Sequence, residues 1–239
     1  MHDVERVWVS IVTTQQPPPT WVVAAAALVA LLMVADRRLW PHTRHLITTA
    51  HEGSHGLAAL VTGRRLSGIR LHSDSSGVAV SKGRPSGPGM VLMLLAGYVG
   101  PGLIGLAAAE LLAAGYAVAV LWLVLLLLGL LLVQIRNWFG LWSILVTGAA
   151  VFTVSWFASE EAQAGFAYLV TWFLLLGAPR PVVELYGSRR RSRARNSDAD
   201  QLAGQTGLPA TIWVGLFLLV TVGALCLGSW WLLDGILGS

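Results

Sequence analysis

The chain is built around runs of apolar residues long enough to cross a lipid bilayer, and these limit its fold more than any other feature. Runs near residues 20–36, 88–113, 116–134, 141–157, 162–178 and 209–233 each approach the length that a helix needs to cross a hydrocarbon core of roughly 30 Å. A weaker seventh candidate covers 45–63. Hydrophobic residues make up 55% and charged residues 12% of the 239 positions, where a soluble domain carries about 25% charged residues. No stretch shows repeated barrel-like alternation, so helices are the spanning element. The fold class expected is an all-α polytopic membrane protein of about seven transmembrane helices. Residues 1–19 form an N-terminal tail and 20–239 a single membrane domain. No cleaved signal peptide is expected at the N-terminus, which lacks a basic region leading directly into an apolar run. Lone Cys226 excludes disulfides and Cys-rich metal sites, which leaves it a packing role.

The net charge of +4 does not point to nucleic acid, because the basic residues cluster in the loops between apolar runs. With seven spans and the N-terminus inside, Arg6, Arg64, Arg65, Arg70, Lys82, Arg84, Arg136, Arg180 and the "RRRSRAR" stretch at 189–195 all fall on the cytoplasmic side of a cell membrane. Arg37, Arg38 and Arg44 fall outside. This topology makes 45–63 a true span and 179–208 a cytoplasmic basic loop.

That weak span reads "LITTAHEGSHGLAALVTG" over 46–63. Ionisable side chains within a membrane segment are costly and mark function by default. His51, Glu52 and His55 form H-E-x-x-H. Residues four apart on a helix lie about 40° apart around the axis and about 6 Å along it. Both imidazoles can then reach one Zn2+ at about 2.0–2.1 Å. Glu52 is turned toward a water at the metal, as a general base. The alternative is a polar cluster that joins helices. A catalytic zinc takes three protein ligands and keeps one position open. His2, His42, His45 and His72 are poorly placed for the third, but Asp198 and Asp200 in "RNSDADQLAGQTGLPATIW" (195–213) remain, one of them free to cap a helix.

HEGSH, followed by "ALVTGRRLSGIRL", "AGYVGPGLIG", "RNWFG" and "SDADQLAGQTGLPATIW", resembles the bacterial branch of the site-2 protease family of intramembrane zinc metallopeptidases. The resemblance spans roughly residues 45 to 213. It implies a zinc-dependent endopeptidase that hydrolyses membrane-protein substrates within or beside the bilayer. It implies a zinc site of His51, His55 and one aspartate, with Glu52 catalytic. Asp198, inside "SDA", best matches the aspartate position and Asp200 is the reserve. "SDADQ" departs from the N-P-x-x-D-G or L-D-G context of better-known members. There is no room for a PDZ or CBS domain, so control would come from loops or from a separate regulatory partner. A zinc-binding transporter or adaptor without proteolysis is the alternative function.

Alternation in "SGIRLHSDSSGVAVSKG" predicts a β-hairpin over 67–83, lying against the enzyme because an isolated hairpin is marginal in water. It would either present substrate by strand addition or merely connect two spans. Pro101 predicts a kink, and Gly97, Gly100, Gly102 and Gly105 predict close packing on the zinc helix. Asn137 is either a donor to the oxyanion or an interfacial loop residue. Glu184 is expected to be solvated. His51 lies thirteen residues before Arg64, about 20 Å along a helix. Asp198 can therefore meet it only if residues 197–207 fold back into the membrane, or if the zinc helix extends past the lipid.

Overall fold

Twelve elements make up the described part of the chain, residues 2–191 and 196–237 of a computed structural model. In order they are α1 (His2–Val12), α2 (Thr20–Ala35), α3 (Trp40–Val61), β1 (Arg65–Leu71), β2 (Gly77–Lys82), α4 (Pro88–Ala113), α5 (Ala117–Gln134), α6 (Trp138–Phe157), α7 (Glu160–Gly177), α8 (Pro179–Arg190), α9 (Asp198–Thr206) and α10 (Ala210–Leu237). Five stretches are long and apolar enough to cross a membrane: α4, α5, α6, α7 running on into α8, and α10. Helix α2 is equally apolar but has only 16 residues. The architecture is the expected α-helical multi-pass membrane protein with a hairpin after the H-E-x-x-H helix. Some details differ. Residues 1–19 include helix α1, and 179–208 carries helices α8 and α9 rather than a plain loop. Residues 192–195 of the basic stretch lie outside the described residues. Cys226 is exposed on α10 rather than packed.

The larger difference is in sidedness. The backbone N–H of Gln15 donates to the Gly115 carbonyl at 2.8 Å, and its side-chain oxygen accepts from the Val118 N–H. The residues before α2 therefore sit at the end of the bundle where α4 turns into α5. Val22 packs against Gly165 and Val34 against Gly177, so α2 runs parallel to α7. The N-terminus is thus at the end opposite the basic residues of α8, which corrects the expected placement of both on one side.

Helix α3 accounts for the discrepancy. Its first residues reach α8: Trp40 Nε1 donates to Glu184 at 2.8 Å, and Arg44 pairs with the same carboxylate at 3.4 Å. Its last turn meets the start of α4, with Thr62 against Gly89 and Arg64 donating to the Arg84 carbonyl at 2.6 Å. Leu94 near the start of α4 shares a core with Val182 and Leu185 of α8, so both ends of α3 lie at one end of the bundle. It is a polar helix packed on α4 and the hairpin, and it is not among the stretches apolar enough to cross a membrane. Arg37, Arg38 and Arg44 consequently join the other basic residues, and among the described residues only Arg6 on α1 is left at the far end. The positive-inside pattern is sharper in this arrangement than in the expected one. Glu184 is not simply solvated, since Arg180 and Arg44 both pair with it and Arg180 also lies over the Trp40 ring.

The hairpin pairs β1 with β2 antiparallel, with a register shift between Leu66 and Gly68. It is docked rather than free. Leu66 and Ile69 pack on Gly56 of α3, and Thr48 donates to the Ser75 carbonyl in the turn at 3.0 Å. The outer edge of β1 is occupied too: Arg136 N–H donates to the Ile69 carbonyl, and Asn137 clamps Leu71 from both sides of its carboxamide.

Candidate metal centre

Helix α3 offers His51 and His55 from successive turns toward α4. The side chains can lie there because α4 has glycine at the contact. A Cβ on Gly97 would lie 2.4 Å from His55 Nε2 and 2.8 Å from His51 Cε1, and one on Gly100 would lie 2.0 Å from Ser54 Oγ. Of the four glycines expected to pack on the H-E-x-x-H helix, Gly97 and Gly100 do so, while Gly102 faces Ala178 and Thr221 and Gly105 faces Leu174 and Leu175. Helix α4 also runs through Pro101 without ending.

The aspartate arrives on α9. Ser197 caps this helix, its hydroxyl accepting from the Asp200 N–H while Asp200 bonds back to Ser197. Gly207, at φ 75°, ends it, a conformation that glycine adopts without the Cβ penalty. Ala199 and Leu202 are fully buried against Leu94, Val182 and Phe217. This apolar face folds residues 198–206 back along α4, which brings Asp198 to the H-E-x-x-H helix. Burial opposes ionisation of Asp200, but hydrogen bonds from Arg189 and Ser197 outweigh it and hold the carboxyl below its usual range. Asp200 is thereby engaged as a cap and an Arg189 partner. Asp198, first residue of the helix, points the other way.

Asp198 Oδ2 lies 3.3 Å from His51 Nε2 and 3.3 Å from His55 Nε2, and the two nitrogens are 3.1 Å apart. His55 Nδ1 sits 2.7 Å from the Met93 carbonyl. A carbonyl only accepts, so Nδ1 carries a proton, which leaves Nε2 as the atom the ring can offer to a metal. Two imidazole nitrogens and a carboxylate oxygen this close are held by a shared proton or by a cation among them. Ligand atoms about 2.0–2.1 Å from a tetrahedral metal are about 3.3–3.4 Å apart, close to all three separations. The donor set and its spacing fit a zinc-sized cation. His45 and His72 are elsewhere, facing Ser75 and Ser76 of the hairpin turn.

Glu52, 5% exposed, lies beside the cluster and under β2. A Cβ on Gly77 would lie 2.5 Å from its Cγ, and the Ala79 N–H is directed at its carboxylate. Its Oε2 is buried with no hydrogen-bond partner among the described residues. Leaving a buried polar atom unpaired is costly, and one that lies beside a cluster of ligating groups calls for an explanation.

Asn137 is not brought to the cluster. Its carboxamide oxygen accepts from Leu71 N–H at 3.1 Å and its nitrogen donates to the Leu71 carbonyl at 2.7 Å. The donor that an oxyanion role requires is already committed to the strand. Asn137→Ala is accordingly expected to loosen β1 by about 1–3 kcal/mol, read as faster amide exchange at Leu71, with turnover reduced only moderately. A collapse of turnover with unchanged exchange would restore the oxyanion role. The sequence reading missed Tyr98, whose ring stands 4.8 Å from His51 at 88°. It also missed the Met93 carbonyl. Neither carries a local signal beyond lying in the glycine-rich start of α4.

A multi-pass helical protein with two histidines of H-E-x-x-H and a distant aspartate drawn into one cluster defines a class, the membrane-embedded peptidases with a metal-binding site. The chain belongs to the family described as Peptidase M50B-like, whose family model matches residues 24–228, from α2 through most of α10. It is therefore a member of the site-2 protease family, a family of membrane-embedded metalloproteases. Comparison with curated proteins and with solved structures gives no match.

Proposed function

We propose that this chain is a zinc-dependent intramembrane endopeptidase in which His51, His55 and Asp198 hold the metal and Glu52 is the general base. The observation that carries the proposal is the convergence of three donor atoms at the edge lengths of a tetrahedral site, 3.1, 3.3 and 3.3 Å, beside the unpaired Oε2 of Glu52. Zinc held by these three residues would supply Lewis acidity and would lower the pKa of a water to about 7. Glu52 Oε2 accepts the proton of the attacking water and returns it to the leaving amine. The same oxygen faces both events, and its burial keeps bulk water from competing for it.

The hairpin supplies the substrate's place. The outward groups of Ile69 and Leu71 are used by Arg136 and Asn137, so in an antiparallel pair those of their partners Ala79 and Gly77 point to the far edge of β2. No third strand covers that edge among the described residues, and it passes over Glu52. A substrate helix must unwind to offer a peptide bond, and with the Ala79 N–H directed at Glu52, the Ala79 carbonyl and the Gly77 groups remain on this edge to hold it extended by strand addition. By the positive-inside rule the basic end that carries the site is cytoplasmic in a cell membrane, with α1 on the opposite face. Substrate choice falls to this hairpin and to a separate regulatory partner.

The test is the metal content of purified protein. Wild type and Asp200→Asn are expected to hold stoichiometric zinc, while His51→Ala and Asp198→Ala lose affinity by at least about 10–100-fold. Zinc retained in Asp198→Ala, or absent from wild type, overturns the assignment.

A further inference from the structure

The two histidines are supported unequally. His55 is held by the Met93 carbonyl on Nδ1. His51 has no such hydrogen bond: among the described residues its only polar contacts are the inward ones of Nε2 to His55 and Asp198. It is also the more exposed of the two, with 19% of its side chain accessible against 8%. A ligand whose outer nitrogen has no partner must take its orientation from packing.

What packs on it is Tyr98. The Tyr98 ring meets His51 edge-on, at 4.8 Å and 88°, and stacks on Phe217 of α10 at 4.9 Å and 14°. Both geometries are favourable for aromatic pairs. Phe217 is fully buried, in the core that also holds Leu202 of α9. Next to Tyr98, Gly97 also lies against the imidazole, 2.8 Å from its Cε1 at the Cβ position. His51 thus meets a backbone and a ring that belong to consecutive residues of α4, and the ring is backed by α10.

We propose that Tyr98, backed by Phe217, is the positioning residue for His51, holding that imidazole at the metal through ring packing as the Met93 carbonyl holds His55. The proposal rests on the metal-site assignment above. The phenol hydroxyl makes no hydrogen bond among the described residues, so the aromatic ring rather than the oxygen carries the effect. The stack also joins α10 to the site: Phe217 packs with Leu202, four residues after Asp198, so one apolar core locates both the aspartate and the ring that orients His51.

The test uses the full-length protein in detergent or bilayer discs, with zinc affinity measured by competition with a chelator and site geometry by the visible absorption of the Co2+ form. Tyr98→Phe is expected to keep zinc affinity, the Co2+ spectrum and turnover close to wild type. Tyr98→Leu and Phe217→Leu are expected to lower zinc affinity about 10–100-fold and to alter the Co2+ spectrum, with turnover largely recovered at saturating zinc. Circular dichroism separates loss of fold from loss of support, and Phe217→Leu, remote from the metal, keeps the result readable if Tyr98→Leu misfolds. Unchanged affinity and spectrum in the folded leucine variants overturn the proposal. So does a loss of turnover in Tyr98→Phe with metal binding intact, which would make the hydroxyl a catalytic group. Wild-type protein that binds no zinc would defeat the metal assignment itself, a result separable from either.

Discussion

Glu52→Gln is expected to lower cleavage of a membrane substrate by at least about 100–10,000-fold while leaving fold and zinc content near wild type. The amide matches the carboxylate in shape, so contacts with Gly77 and the Ala79 N–H keep their volume. What changes is the atom at the Oε2 position, which has no partner within the described protein. A carboxylate there can take a proton from water and release it to an amine; an amide can do neither at neutral pH. Because Glu52 lies outside the His51, His55 and Asp198 cluster, its loss removes the base without removing a ligand. Cleavage at the parental rate by Glu52→Gln would remove the general-base mechanism. Loss of zinc together with activity would place Glu52 among the ligands.

Much of this site was legible in the sequence because its signals are local. H-E-x-x-H encodes the geometry of two adjacent helical turns, and "SDADQ" encodes a capped helix start whose first residue is a carboxylate. The hairpin followed from alternation; its start moved because Arg65 and Leu66 extend β1, and its end moved by one residue to Lys82. The choice between Asp198 and Asp200 was not legible, since both suit a helix N-terminus. It is made by Arg189, eleven residues away, which engages Asp200. Asn137 was visible as an unusual polar residue, yet its partner Leu71 lies 66 positions earlier, and no local pattern reports that.

Sidedness failed for a related reason. Counting charges gives orientation only once the crossings are known, and α3 has the length of a span without the apolarity of one. Its 22 residues include His42, His45, His51, His55, Arg44 and Glu52, polar groups that need protein partners rather than lipid. Glu184, Met93 and Asp198 supply several of them. Once α3 is taken out of the alternation, Arg37, Arg38 and Arg44 fall with the other basic residues and the charge asymmetry grows. A single helix therefore changes the charge count on each side without touching the cluster of His51, His55 and Asp198, because the cluster depends on local spacing and the topology on a count.

The second large effect concerns a residue with no side chain. Gly97→Ala is expected to cost zinc affinity by more than about tenfold and activity with it, although alanine is the better helix former. The added carbon would lie 2.4 Å from both Cε1 and Nε2 of His55 and 2.8 Å from Cε1 of His51, well inside van der Waals contact at about 3.5–4.0 Å. His55 cannot retreat without giving up the Met93 carbonyl, and His51 cannot without leaving Tyr98. The clash therefore falls on the ligand geometry. Two comparisons isolate this cause. Gly148→Ala, where nothing lies within 4 Å, is expected to be neutral for metal binding. Gly100→Ala, aimed at Ser54 Oγ and Cβ, is expected to destabilise the α3–α4 contact and to be relieved by adding Ser54→Gly. No companion substitution can relieve Gly97→Ala in the same way, because the atoms it meets belong to the rings that bind the metal. Full zinc affinity in a folded Gly97→Ala protein would mean that the rings do not lie against α4, and the converging donor geometry would be wrong at its centre.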